Sequence, residues 1–110
     1  EPGADQVGAM LSSAVVSAVN LSEVTSKLAE AGMPEAAIRE ALEGLAVEVA
    51  PFDREQAYTA GLLRPANMSL GLSLGDRACL SLAQRLGLPA VTTDAAWAKL
   101  DMAVEVRVVR

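Results

Sequence analysis

The sequence predicts an α/β fold in which a parallel sheet lies between helices. Three observations carry that prediction. Short runs rich in Val, Ala and Thr alternate with longer amphipathic stretches along the chain, the pattern of strands joined by crossover helices. The short runs are apolar on both sides of the backbone, as strands covered on two faces must be. Gly or Pro stands at several junctions where one element stops and the next begins. The 110 residues form one domain, long enough to bury a real core.

The elements follow in order. Residues 3–11 fit a short helix, and AVVSA (14–18) a compact strand. NLSEVTSKLAEA (20–31) is a helix with Leu21, Val24, Leu28 and Ala31 inward, and Gly32 is its left-handed stop. Pro34 opens a helix over 34–45, at the end where proline is tolerated. VEVA (47–50) is a strand, and Asp53 suits the N-cap of a helix over 54–64. PANMSLGLSLG (65–75) reads as a loop with some helical turns. A helix over 76–86 ends at Gly87, the strand PAVTT occupies 89–93, a short helix 94–100, and the strand EVRVV 105–109.

Apolar residues make up 52% of the chain and aromatics 3%, so the core is built from Ala, Val and Leu. Cys79 lies on an apolar helix face and reads as an inert core thiol; Trp97 reads as core too. The chain has no histidine, which excludes Ser-His and Cys-His catalysis and His-based zinc sites. A single cysteine excludes an internal disulfide and fits a reducing compartment. No uncharged apolar run reaches the ~18 residues of a membrane span, and EPGADQVGAM lacks the basic flank and apolar core of a signal peptide. The formal net charge of −5 repels nucleic acid at long range. Action on a phosphodiester would require a local reversal of sign, for which a divalent cation is the obvious agent.

Carboxylates are therefore the main chemical resource. At about 100° per residue, Cys79, Leu82, Ala83 and Leu86 share one helical face, with Asp76 on its flank. Arg77, Ser81, Gln84 and Arg85 take the opposite side. A carboxylate turned inward needs a partner. Glu23 stands in the first turn after the strand 14–18, and Asp94 directly follows the strand 89–93, the end of parallel strands at which α/β sites form. Three carboxylates at element junctions suit a hard cation such as Mg²⁺, and without one their like charges would oppose ionisation. Each also has a plainer reading. Asp94 can cap the helix behind it, Asp76 can answer a helix dipole, and Glu23 can pair with Lys27 at i+4. Spacing alone leaves both readings open.

LSLGDRACLSLAQRLGLPAVTTDAAW, together with VVSAVNLSEVTSKL, closely resembles the VapC-type PIN-domain ribonuclease toxins of toxin–antitoxin pairs. The resemblance extends over essentially the whole chain. It implies a three-layer α/β/α sandwich around a central parallel sheet. It further implies a Mg²⁺- or Mn²⁺-dependent endoribonuclease, located in the cytoplasm, that acts on RNA, binds a cognate antitoxin and forms a homodimer. On that resemblance Glu23, Asp76 and Asp94 are metal ligands, Thr92 supplies a hydroxyl two positions before Asp94, and Asn20 flanks the site. The chain departs from the family in one respect. The family begins with a central strand bearing an aspartate, in a pattern like V-x-D-A-S-A, and residues 1–13 do not supply it. The stretch EPGAD resembles the loop that follows this strand. The expectation is a single PIN-like domain over 1–110 whose first strand lies elsewhere. The alternative is a catalytically silent form acting as an antitoxin-binding or dimerisation module.

Overall fold

A computed structural model of the protein describes residues 15–92 and 94–109. The helix expected over 3–11, the start of the strand expected at 14, and Thr93 lie outside the described residues. The elements are β1 (Val15–Ser17), α1 (Ala18–Glu30), α2 (Glu35–Glu43), β2 (Glu48–Ala50), α3 (Arg54–Ala66), α4 (Leu74–Leu86), β3 (Ala90–Thr92) and β4 (Val106–Val108). Short 3₁₀ segments fill Met68–Leu70 and Ala95–Lys99.

Local chemistry sets the boundaries. The Ser17 hydroxyl accepts from Val19 N at 3.2 Å and starts α1 directly behind β1. Gly32, at φ 95°, ends it in the left-handed turn expected there. Asp53 caps α3 through Gln56 N at 2.9 Å. The loop over 65–75 is shorter than expected, because α3 runs to Ala66 and α4 starts at Leu74. The reason is a capping box: Ser73 Oγ accepts from Asp76 N, and Asp76 Oδ2 accepts from Ser73 N, both at 3.0 Å. Gly87, at φ 66°, closes α4 as predicted.

Both strand pairs are parallel. β1 lies on β2 in the register Val15↔Glu48 to Ser17↔Ala50, and β3 on β4 in the register Ala90↔Val106 to Thr92↔Val108. The described strands form two two-stranded sheets, with the parallel sense expected of the α/β fold. β1 and β3 belong to different sheets. They flank a cleft of about 330 Å³, walled by Val15, Val16, Ala90 and Val91 and by Cys79 and Leu82 of α4, and do not hydrogen-bond to one another.

Helix α4 is the centre of the molecule. Leu80 is fully buried, and it packs in the main apolar cluster with Leu63, Ala83, Ala90 and Trp97. Trp97 is a core residue, as expected. Two orientations on α4 differ from the helical-wheel reading. Ser81, expected on the solvent side, is fully buried. Its hydroxyl donates to Gln56 Oε1 at 3.0 Å, while Gln56 Nε2 donates to Ser81 O at 3.4 Å. Arg77, placed on the same side, is half-buried and donates from Nη1 to Ala60 O at 3.1 Å. Helix α3 covers this second face of α4, so α4 is buried on two sides while the wheel reading supposed one. At the periphery the errors reverse: Val24, Ala31 and Leu86, expected inward, are exposed, because α1 and the end of α4 lie at the edge of the packing. Arg77 Nε is buried with no hydrogen-bond partner, a state that costs ~1–3 kcal/mol.

Asp53 and Arg85 tie the far ends of α3 and α4 together, with Arg85 Nη1 at 3.0 Å from Asp53 Oδ2. The Gln56 backbone N–H and then the Arg85 side chain hold the Asp53 carboxyl below its ordinary value. Its capping contribution is therefore present at neutral pH and fades as pH falls through that lowered value.

Cys79 is half-buried on the cleft face of α4. Burial, reinforced by the Asp76 charge, pushes its thiol above the ordinary value. Less thiolate at a given pH means slower alkylation. At pH 8, iodoacetamide should modify Cys79 in the folded protein about tenfold more slowly than in urea. Equal rates in both conditions would show that the thiol is not shielded.

Candidate functional site

The ends of β1 and α4 bring two of the expected carboxylates into one region. Helix α1 begins immediately after β1, which puts Asn20 and Glu23 in its first two turns. The Asn20 amide is the connector. Its Nδ2 donates to Gly75 O at 3.0 Å and to Glu23 Oε1 at 3.2 Å. One amide thus orients the Glu23 carboxylate and fastens α1 to the first turn of α4. Glu23 rests directly against the Cα of Gly75, where any Cβ would overlap its carboxylate. Gly75 is buried, and Asp76 is the next residue. The ion pair of Glu23 with Lys27, left open by the spacing, is not formed among the described residues.

Asp76 occupies the third position of α4. It is half-buried, and Oδ2 serves the capping box. Both readings of this residue thus have a structural basis, since it caps its own helix and also follows the glycine that receives Glu23. Thr92 ends β3. Its Oγ1 accepts from Asp94 N at 3.0 Å, and Asp94 Oδ1 in turn accepts from Ala96 N at 2.9 Å, capping the 3₁₀ segment behind it. Thr92 and Asp94 form a local unit of their own. Among the described residues, no group of three or more acidic or cysteine side chains comes close enough to hold a metal ion. The structure therefore joins Glu23 to the Asp76 turn through Asn20 and Gly75.

In donor chemistry these residues suit a hard cation. Among the described residues, Glu23 Oε2, Asp76 Oδ1 and Asp94 Oδ2 accept no hydrogen bond, so each carboxylate keeps one oxygen uncommitted while its other is fixed. Fixed carboxylate and amide oxygens are what Mg²⁺ or Mn²⁺ prefers, with water completing the shell. Asn20 orients the Glu23 carboxylate through its amide.

Two features escaped the wheel reading. One is the buried Gln56–Ser81 pair. Its signal was Ala78 and Ser81, small residues three apart where α3 lies against α4. The other is the pairing of Arg64 with Arg77 around a single pocket between α3 and α4, for which the sequence carries no local signal.

Gly75 supplies a clean probe of the arrangement. Alanine there favours the helix by ~1 kcal/mol, while its methyl displaces the Glu23 carboxylate. Gly75→Ala should unfold within a few degrees of the parent and bind Mn²⁺ roughly 10–100-fold more weakly. Calorimetric titration with Mn²⁺ checks this, and undiminished affinity would detach Glu23 from the site.

No helix among the described residues is long and apolar enough to cross a membrane. Among curated proteins, none matches the chain. Among solved structures, the chain is similar to a member of the VapBC family of toxin-antitoxin systems, VapBC-5, from Mycobacterium tuberculosis. The identity is 23% and the TM-score 0.48, over 78% of this chain and 75% of that one. The PIN domain model matches residues 1–102. With parallel strands alternating with helices and a family match along nearly its whole length, the chain belongs to the PIN domain family.

Proposed function

We propose that the protein is a Mg²⁺- or Mn²⁺-dependent endoribonuclease of the VapC type, the toxin of a toxin–antitoxin pair. The observation that carries this reading is the Asn20–Glu23–Gly75 junction, which holds one carboxylate against the helical turn that contains another. Family membership and the sequence resemblance of 72–97 support it. Glu23, Asp76 and Asp94 are the proposed ligands. When bound, the cation offsets the chain's negative charge at the RNA and supplies an activated water. Asn20 orients the Glu23 carboxylate. Thr92 fixes the backbone at Asp94 through its hydroxyl, and so sets the direction of that carboxylate.

The proposed partners are RNA, a cognate antitoxin and a second copy of the chain, in the cytoplasm. An antitoxin arginine directed at Glu23 and Asp76 would inhibit by charge-assisted hydrogen bonding. The test is cleavage of single-stranded RNA by the purified protein with Mg²⁺ or Mn²⁺, against a chelated control. Cleavage that needs the metal supports the reading. No cleavage, together with no metal binding at millimolar concentration, would favour the silent binding module.

A further inference from the structure

A pocket of about 320 Å³ lies between the end of α3 and the start of α4, and both Arg64 and Arg77 line it. We propose that it binds a phosphate group of an RNA strand, held by these two guanidinium groups. The identity of the strand rests on the nuclease reading above; the existence of an anion site does not. In a chain of net charge −5, two arginines converge on one polar cavity. Neither forms an ion pair among the described residues, where the three pairs present are Arg39–Glu35, Arg85–Asp53 and Arg107–Glu105.

Arg77 is fixed in place. Its Nη1 donates to Ala60 O, which anchors the guanidinium to α3. Its Nε is buried without a partner, and its Nη2 makes no hydrogen bond among the described residues. Arg77 lines the pocket with its charge uncompensated by any carboxylate among the described residues, and guanidinium groups are suited to phosphate. Arg64, exposed in the last turn of α3, adds a second positive charge. The first turn of α4, a thirteen-residue helix, adds its backbone N–H groups and dipole. Asn67 also lines the pocket; its Nδ2 donates to Leu63 O and its Oδ1 accepts from Asp101 N, which holds the side chain in place.

The pocket and the carboxylates share a wall. Ser73 lines the pocket and forms the capping box with Asp76, and Arg77 is the residue after Asp76. A phosphate at the arginines therefore lies next to the turn that holds Asp76. Asp76 opposes the anion at close range, so a cation at the carboxylates and a phosphate at the arginines favour each other.

The test separates the two readings because it is made without metal. Anisotropy of a labelled single-stranded oligoribonucleotide is measured in EDTA with the full chain and with Arg64→Gln, Arg77→Gln and Asp76→Asn. Arg64→Gln should weaken binding about tenfold and reduce the salt dependence by about one counterion. Arg77→Gln should weaken it at least as much, and Asp76→Asn should preserve or strengthen it. Arg64 is exposed, so its variant stays informative if loss of the Ala60 anchor unfolds Arg77→Gln. In parallel, inorganic phosphate is titrated at fixed ionic strength while the Arg77 Nε–H resonance is followed by NMR. A shift of that resonance with weaker RNA binding in the variants supports the site. A phosphate shift with RNA affinity unchanged in Arg64→Gln would assign the pocket to free phosphate and overturn the RNA assignment. No phosphate shift together with unchanged RNA affinity would overturn the anion site altogether. Failure of the nuclease reading would appear separately, as a wild-type protein that binds RNA here and does not cleave it when metal is added.

Discussion

Asp76→Asn should reduce metal-dependent RNA cleavage by about 10²–10³-fold, the scale on which one charge-stabilising group acts in an active site. Asparagine retains a side-chain carbonyl at this position. It can still accept from Ser73 N, where Asp76 Oδ2 now accepts at 3.0 Å. What disappears is the negative charge and a ligand oxygen. The cost to folding is then confined to the interaction with the helix dipole, about 0.3–1 kcal/mol. Activity and stability therefore separate, with cleavage falling steeply and the unfolding midpoint barely moving. Calorimetry should show weaker Mg²⁺ binding in the same variant. Cleavage at the wild-type rate would remove Asp76 from the machinery and leave it as a helix cap.

Leu80→Ala should have the largest effect on stability. Leu80 is fully buried within the cluster of Leu63, Ala83, Ala90 and Trp97. Truncation there leaves a cavity between α4 and the β3 side of the core, and such changes cost about 2–5 kcal/mol. Against a typical domain stability of about 5–15 kcal/mol, that is a large share of the total. Leu62→Ala provides the contrast, since Leu62 is 75% exposed and surface changes stay within about 0.5 kcal/mol. Urea unfolding of both variants checks the difference. A loss below about 1 kcal/mol at Leu80 would show that the core around α4 relaxes into the space.

The local elements were legible in the sequence because their signals are local. Asp53 caps α3, Gly32 and Gly87 close their helices, and Asp94 caps the 3₁₀ segment. Each of these depends on one side chain and a few neighbouring backbone groups. Asp76 shows the limit of such reading. The wheel placed it on the flank of the apolar face, and the missed N-cap at Ser73 started the helix two residues late. With Ser73 as cap, Asp76 becomes the reciprocal member of a capping box. Ser81 and Arg77 show a second limit. A wheel identifies an apolar face, but it cannot register a polar face that another helix covers, and the Gln56–Ser81 bonds exist only because α3 lies there.

By itself the sequence determined the α/β class, the order of the described elements and the parallel sense of the strands. Periodicity, capping residues and crossover connections are properties of short stretches. The tertiary structure decided which of these residues meet. It set Glu23 against Gly75 through an amide donated over 55 positions of sequence, left Asp94 with Thr92, and turned two arginines from different helices toward one pocket. Contacts of that kind depend on how whole helices pack, and packing is fixed by the shape of every buried side chain at once rather than by the pattern of any single segment.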